Sequence, residues 1–265
     1  MTGRRHRKSS KNRGEWDGNI SELALVGKGG TGFVFAIDKA RVVKIPAGSD
    51  ISIRAFKRER EAFKILGQQG QNQFLLACLD YHLPDRLVLE RCESTVRERL
   101  QHEAMECSND SPRWRNPAFM KSSIAWACQA AAGLSFVHSK KIVHADVGCH
   151  NMLLDTHGNV KISDFSGSGM FTDKKGYLPA LVTYDERSRK PGTSGATVQT
   201  DIFALGSAIY ELATGHLPYS DLPNSQVRSL FARKQWPDDL ESIKAAFPAM
   251  RNAIYKCWEG AYHCI

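Results

Sequence analysis

The chain has 265 residues, a length that suits one large domain or two small lobes and can bury a core without disulfides or metals. Hydrophobic residues make up 42% and charged residues 24%, which excludes a chain disordered throughout, a collagen-like repeat and a coiled coil. Lys and Arg total 36 against 28 Asp and Glu, so the formal net charge is +8.

The positive charge is concentrated at the start of the chain. Residues 1–14 contain six Lys and Arg residues and no acidic residue, so the remainder is near neutral. We predict residues 1–18 to be a basic disordered tail and residues 19–265 to form the folded domain. A solvated tail is favoured over contact of the tail with nucleic acid or with an anionic membrane.

The first part of the folded region is predicted to be mostly β-structure with one helix. Residues 19–45 contain β-branched and aromatic residues between turn residues, a pattern typical of strands. Residues 51–67 carry apolar residues at helical spacing and end on a glycine. Residues 75–79 and 86–90 predict two further strands, so this lobe spans about residues 19–91.

The second part, about residues 92–265, is predicted to be mainly helical. Residues 120–138 predict a long apolar helix, and residues 201–214 are apolar on nearly all sides, as in a buried helix. Residues 103–117 are rich in Ser, Asn, Asp and Pro and predict a surface loop. The two parts together predict an α+β fold with two lobes.

The cysteines and the hydropathy pattern bear on location. None of the seven cysteines forms a C-x-x-C pair, and no Cys/His cluster has zinc spacing. We therefore expect reduced thiols in an intracellular protein, cytoplasmic or nuclear. The basic start is not followed by an apolar stretch, and no uncharged apolar run reaches about 18 residues. We expect neither a signal peptide nor membrane insertion.

Glycines at residues 27–32 form the first motif that carries chemistry. The sequence Gly-Lys-Gly-Gly-Thr-Gly has G-x-G-x-x-G spacing, which lets backbone amides approach phosphates without a Cβ in the way. A dinucleotide-binding fold would need a helix directly after the glycines. A strand follows here, which favours a strand-loop-strand flap over phosphates.

Two polar stretches form the second motif. Residues 144–151 read His-Ala-Asp-Val-Gly-Cys-His-Asn, and residues 162–167 read Ile-Ser-Asp-Phe-Ser-Gly. Asp146 can accept or orient a hydroxyl proton, and Asn151 and Asp164 offer the hard oxygen ligands that Mg²⁺ prefers. The alternative, a polar loop with two turn-forming Asp residues, is disfavoured by the glycine motif upstream.

These motifs resemble those of eukaryotic-type protein kinases over about residues 20–262. Residues 144–151 are similar to the catalytic loop H-R-D-L-x-x-x-N, and residues 164–167 are similar to the D-F-G motif. The variants H-A-D and D-F-S-G look similar to a divergent, non-RD branch common in filamentous fungi. The resemblance implies a bilobal protein-kinase-like fold with a β-rich N-lobe and a mainly helical C-lobe. It also implies transfer of the γ-phosphate of ATP to a hydroxyl of an unknown protein substrate, with Ser/Thr favoured on family frequency alone.

The resemblance implies a role for each matching residue. Asp146, Lys44 and Glu59 would be catalytic, with Glu59 preferred to Glu61 as the partner of Lys44 because it faces the buried side of its helix. Asn151 and Asp164 would hold Mg²⁺. ATP would lie against Leu153, the hinge residues Glu90 and Cys92 beside the gatekeeper Leu89, Lys44, and the flap residues Val26, Gly27, Lys28, Gly29, Gly30, Thr31, Gly32, Phe33 and Val34. Phe63, His144 and Phe165 would stack, and Asp201 would accept amide hydrogen bonds from the catalytic loop.

The chain departs from the kinase pattern at several positions. Ala145 replaces an arginine that binds an activating phosphate, Gly148 replaces the catalytic-loop lysine of Ser/Thr kinases, and Ser166 replaces the D-F-G glycine. His150 stands where tyrosine kinases have an arginine. Glu186 is the candidate for the acid of the A-P-E motif. We also expect the usual last helix of the C-lobe and its arginine to be missing.

Two other functions remain open at this point. A pseudokinase would serve as a nucleotide- or protein-binding scaffold. Pseudokinases usually lack one of five residues, and all five are present here: Lys44, Glu59, Asp146, Asn151 and Asp164. A small-molecule phosphotransferase similar to aminoglycoside kinases would share the Asp, Asn and Asp core, but the glycine flap favours a protein kinase. The residues do not decide Ser/Thr against Tyr as acceptor, nor the oligomeric state.

Overall fold

The computed structural model of the protein describes residues 16, 18–68, 70, 72–106, 116–172, 176–180 and 185–264. Most of the predicted tail therefore lies outside the described residues, as do Cys107 and much of the predicted loop at 103–117. The described part forms two lobes, with strands dominating the first and helices the second. This confirms the predicted α+β fold class.

The first lobe is an antiparallel five-stranded sheet with one helix against it. A 3-10 turn at Ile20–Glu22 precedes the sheet, where the sequence had predicted strand. The strands lie in the order β1-β2-β3-β5-β4. They are β1 (Ala24–Lys28), β2 (Gly32–Ala36), β3 (Arg41–Pro46), β4 (Cys78–Asp80) and β5 (Leu87–Glu90).

Helix α1 (Asp50–Gly67) is amphipathic, as its sequence predicted. Ser49 caps its first turn by accepting a hydrogen bond from the Ser52 amide. One face buries Ala55, Phe56, Glu59, Ala62, Phe63 and Leu66, while most of its Arg, Lys and other Glu residues lie elsewhere. Glu59 is thus the one acidic side chain on a buried face that is apolar apart from Ser52.

Strand β4 is shorter than the predicted strand at 75–79. Leu75 and Leu76 do not join the first sheet but reach the second lobe, where the Leu76 amide donates to the Ile162 carbonyl at 2.9 Å. The Ile162 amide donates to the Phe74 carbonyl, also at 2.9 Å. The Leu75 amide donates to the Asn72 carbonyl at 3.1 Å, so neither leucine amide pairs with the first sheet, and the strand starts only at Cys78.

The second lobe is built around a buried helix. Helix α4 (Val198–Thr214) packs against α3 (Pro117–Ser139) and α7 (Pro248–Glu259), and its residues from Asp201 to Thr214 are buried. Thr197 and Thr200 form a capping box at its start, and Gly215 ends it with a left-handed φ of 86°. The other helices are α2 (Val96–Glu106), α5 (Asn224–Ala232) and α6 (Asp239–Ala246).

Short strands line the junction of the lobes. Strands β6 (Ser94–Thr95), β8 (Met152–Leu154) and β9 (Val160–Ile162) form one small sheet. Strands β7 (Ile142–Val143), β10 (Gly169–Thr172) and β11 (Gly176–Leu178) form another. No helix within the described ranges is long and apolar enough to cross a membrane.

Candidate active site

Lys44 on β3 and Glu59 on α1 form a buried ion pair. Lys44 Nζ donates to Glu59 Oε1 at 2.8 Å and lies 3.4 Å from Asp164 Oδ1. Burial outweighs the contact with Lys44 and raises the pKa of Glu59 above its ordinary value. Burial also works to lower the pKa of Lys44, but the two carboxylates raise it above its ordinary value. We assign the charged form to Lys44 because two carboxylates face it.

Asp164 follows β9 in a conformation that turns its carboxylate toward Lys44. Its φ of 59° is left-handed, and a 3-10 turn follows at Phe165–Gly167. Oδ1 also accepts a hydrogen bond from the Ser166 amide at 3.2 Å. Burial works to raise the pKa of Asp164, but Lys44 and Ser166 outweigh it and hold this pKa at about 2. The carboxylate is therefore ionised at neutral pH.

The loop between β7 and β8 holds Asp146 through its neighbours. Asn151 Nδ2 donates to the backbone oxygen of Asp146 and to Oδ2, both at 2.9 Å. His150 Nε2 lies 3.4 Å from Oδ1. Burial works to raise the pKa of Asp146, but the contacts with His150 and Asn151 lower it below its ordinary value. Asp146 is thus a charged carboxylate that can accept a proton.

Asp201 of α4 holds the start of this loop in place. It is 1% exposed and accepts hydrogen bonds from the amides of His144 at 2.7 Å and Ala145 at 2.8 Å. His138 Nε2 lies 2.8 Å from the same carboxylate. Ala145 has a left-handed φ of 70°, a strained conformation for alanine that these bonds help to stabilise. Thr197 caps the first turn of α4, so the Asp201 carboxylate is not needed as a cap and can bind the loop amides.

Three rings join the two lobes beside the site, in edge-on and tilted contact instead of the predicted stack. The ring of Phe165 lies 5.4 Å from Phe63 of α1 and 5.1 Å from His144 of the loop. His144 is fully buried, and its Nε2 lies 3.0 Å from the Ser163 carbonyl. As expected, this histidine packs in the core instead of facing a substrate.

In the turn from β1 to β2, the close approach of two strands requires glycine at one position, whereas two other glycines border open space. A Cβ on Gly32 would collide with the carbonyl oxygen of Ile45 on β3, so the close approach of two strands requires glycine. A Cβ on Gly29 or Gly30 would meet no atom within 4 Å. The Gly29 amide donates to the Gly32 carbonyl at 3.0 Å, which closes the turn. The loop thus leaves open space beside Gly29 and Gly30.

The other predicted flap residues lie on β1, β2 and the turn between them. Val26 is 47% exposed, and Val34 is half-buried against the core. Lys28 Nζ lies 5.9 Å from the centre of the Phe33 ring. The Thr31 carbonyl accepts a hydrogen bond from the Ala47 amide at 3.3 Å.

The predicted hinge connects β5 to β6. Leu89 is buried, and Glu90 ties the segment to β4 by accepting a hydrogen bond from the Ala77 amide at 2.7 Å. Cys92 is half-buried, and burial raises the pKa of its thiol to about 12. Leu153 on β8 packs against the core. The predicted site residues thus lie on or next to β1–β3, α1 and β5 of the first lobe and on β8 and the loops around β8 and β9 of the second.

Two arginine contacts were missed by the sequence interpretation. Arg58 Nη1 donates to the carbonyls of Ser168 and Pro179, both at 2.7 Å, and so ties α1 to the segment after Asp164. Arg228 of α5 lies 2.5 Å from buried Glu186, the residue predicted to be the acid of the A-P-E motif. No sequence signal could identify the first contact, because its acceptors are backbone oxygens.

The residues present fit a nucleotide with Mg²⁺. The described residues contain no cluster of three or more His, Cys, Asp or Glu side chains that could hold a metal alone. Mg²⁺ commonly binds to one or two carboxylates together with phosphates and water. Since Asn151 Nδ2 faces Asp146, its amide oxygen is the atom left to join the Asp164 carboxylate. The open space at the flap glycines would accommodate phosphates.

Comparison with known proteins identifies the family. The family described as "Protein tyrosine and serine/threonine kinase" matches residues 41–263, so the chain belongs to it. This confirms the resemblance to eukaryotic-type protein kinases and the bilobal kinase-like fold.

Three curated relatives illustrate the similarity. Mitogen-activated protein kinase kinase kinase 3 of Arabidopsis thaliana is 36% identical over 115 residues, 42% of this chain and 20% of the relative. Mitogen-activated protein kinase kinase kinase 1b of Physcomitrium patens is 33% identical over 142 residues, 51% of this chain and 18% of the relative. Serine/threonine-protein kinase A-Raf of Homo sapiens is 32% identical over 140 residues, 49% of this chain and 23% of the relative. The matches thus span about a fifth of each relative.

Proposed function

We propose that this chain is an ATP-dependent protein kinase that transfers the γ-phosphate of ATP to a Ser or Thr hydroxyl of a protein. Family membership supports the reaction, and the name of the A-Raf relative, a serine/threonine-protein kinase, supports Ser/Thr as acceptor. The observation that carries the proposal is the position of Lys44. Its Nζ lies within 3.4 Å of Asp164 while it is paired with Glu59, which sets a fixed positive charge at the junction of the lobes.

The proposed domain limits are those the sequence predicted. Residues 19–265 would form the kinase domain, with lobes of about 19–91 and 92–265, after a basic tail at 1–18. The change from the sheet to helix α2 near Val96 supports the boundary between the lobes. Ala145 before Asp146 supports placement in a divergent, non-RD branch similar to kinases of filamentous fungi. The described cysteines, all free thiols, support an intracellular location, cytoplasmic or nuclear.

In this proposal the first lobe binds and orients ATP. The flap residues 26–34 would cover the phosphates, which could approach the backbone closely at Gly29 and Gly30 because neither residue has a Cβ. Lys44 would hold phosphate oxygens, because Glu59 keeps its ammonium group at the junction of the lobes. Backbone groups of Glu90 and Cys92 would bind the adenine edge.

The second lobe would supply the proton acceptor and the metal ligands. Mg²⁺, when bound, neutralises charge on the phosphates. Asn151 and Asp164 would hold it. Asp146 would accept the proton of the substrate hydroxyl as the hydroxyl oxygen bonds to the γ-phosphorus and the bond from that phosphorus to ADP breaks.

The test compares the wild-type chain with Asp146→Asn, in labelled ATP, Mg²⁺ and a mixed protein acceptor, followed by identification of the labelled amino acid. We expect label on Ser or Thr, and a rate about 10²- to 10⁴-fold lower in the variant, the usual contribution of a general base. Circular dichroism and ATP binding check that both proteins are folded. Label on Tyr would contradict the proposed acceptor.

A folded wild-type chain that transfers no phosphate would overturn the proposal in favour of one of the two alternatives. Binding of ATP without transfer would favour the pseudokinase scaffold. Transfer only to a small molecule such as an aminoglycoside would favour a small-molecule phosphotransferase.

A further inference from the structure

The carboxylate of Asp146 is held from two sides. On one side Asn151 Nδ2 lies 2.9 Å from Oδ2. On the other side His150 Nε2 lies 3.4 Å from Oδ1, a distance longer than an ideal hydrogen bond. Contacts of this kind in a ligand-free site often shorten when the reacting groups bind. Each oxygen of the carboxylate therefore has its own neighbour.

The position of His150 depends on the absence of a side chain at residue 148. A Cβ built on Gly148 would lie 2.6 Å from both Cε1 and Nδ1 of His150. That separation is far below any real carbon contact, so the ring occupies the space of the missing side chain. The backbone at Gly148 is not in the left-handed region, so alanine could adopt its conformation. Only the ring of His150 would have to move.

We infer that His150 is a positioning residue of the proposed reaction, which keeps Asp146 aligned from the side opposite Asn151, and that residue 148 must be glycine for it to do so. This inference rests on the proposed function. A carboxylate with one free oxygen can rotate about its Cβ–Cγ bond, and misalignment of the proton acceptor lowers the rate of the chemical step. Gly148 and His150, which both depart from the kinase loop pattern, then act together to align Asp146.

The experiment is a double-mutant cycle with His150→Ala, Gly148→Ala and their combination, measured as kcat and KM for ATP. We expect each single variant to lower kcat about tenfold, the effect of one hydrogen bond to a charged group, with KM for ATP changed less than about twofold. The double variant is expected to be no slower than His150→Ala, because the alanine at 148 has no ring left to displace.

Three further variants separate positioning from a general structural effect. His150→Gln places an amide nitrogen near the position of Nε2 and is expected to retain kcat within about threefold of wild type. His157→Ala and Gly195→Ala are matched controls, since both residues are exposed and a Cβ on Gly195 meets no atom within 4 Å. Both controls are expected to keep wild-type kcat.

A second readout does not require activity. The ring nitrogen NMR signals of His150 are expected to shift in Asp146→Asn and in Gly148→Ala, but not in Gly195→Ala. If these signals stay unchanged, or if kcat of Gly148→Ala falls equally with and without the ring at 150, the inference is wrong. If the signals shift in both variants but the wild-type chain transfers no phosphate, the contact is supported and the proposed function fails.

Discussion

Replacing Gly32 with alanine is expected to destabilise the first lobe. The new Cβ would collide with the carbonyl oxygen of Ile45 and lie 3.3 Å from its carbonyl carbon, so the backbone of β3 has to shift. Gly32 pairs with Pro46 in the sheet, which leaves little freedom for that shift. Overpacking of this kind costs about 2–3 kcal/mol. For a domain of this size that free energy lowers Tm by roughly 5–10 °C.

Gly29→Ala is the matched comparison from the same loop. Its Cβ would meet no atom within 4 Å and its φ is not left-handed, so we expect Tm to stay within about 2 °C of wild type. The methyl group would instead enter the space proposed for the phosphates. A tenfold weaker affinity for ATP would remove about 1.4 kcal/mol of ligand stabilisation at saturating ATP.

The assay is thermal unfolding with and without Mg²⁺ and ATP, in the Asp146→Asn background to prevent turnover. Gly32→Ala should unfold at a lower temperature without ligand, whereas Gly29→Ala should only show a smaller increase in Tm when ATP is added. The reasoning would be refuted if Gly29→Ala lowered Tm as much as Gly32→Ala. A Tm of Gly32→Ala within about 1 °C of wild type would refute it equally.

Three other predictions concern contacts across the site. Arg58→Ala should lower kcat and speed hydrogen exchange at residues 176–180, because two hydrogen bonds at 2.7 Å are lost. The exposed control Arg54→Ala should do neither, and equal exchange rates in the two variants would contradict the prediction. Asp201→Ala should cost about 3–4 kcal/mol in urea unfolding, because it leaves two buried amides unpaired; a cost below about 1 kcal/mol would count against that role. Asp164 has its pKa held at about 2, so its contribution to stability is complete above pH 3.8 and is lost as the pH falls towards 2. Acid unfolding of Asp164→Asn should therefore vary less over this range, and an unchanged pH profile would argue against the contact with Lys44.

Local sequence patterns were sufficient to predict most of the helices and strands. The predicted helix at 51–67 is found at Asp50–Gly67, and the predicted helix at 201–214 lies within Val198–Thr214. Helix periodicity and caps depend on neighbours within four residues, so the sequence contains the information directly. The prediction of strand at 75–79 was wrong before Cys78, where β4 begins. The Leu76 amide bonds to the Ile162 carbonyl, almost ninety residues away in the other lobe, and no local pattern contains that contact.

By itself the sequence determined the residue types of the proposed site, since the spacing of Asp146, Asn151 and Asp164 in short loops is a local property. Only the tertiary structure decided which of them meet. The contact of Lys44 with Asp164 spans 120 residues, and that of Arg58 with Pro179 spans 121. Such contacts depend on how two lobes pack, and packing is set by the whole buried core instead of by neighbours along the chain.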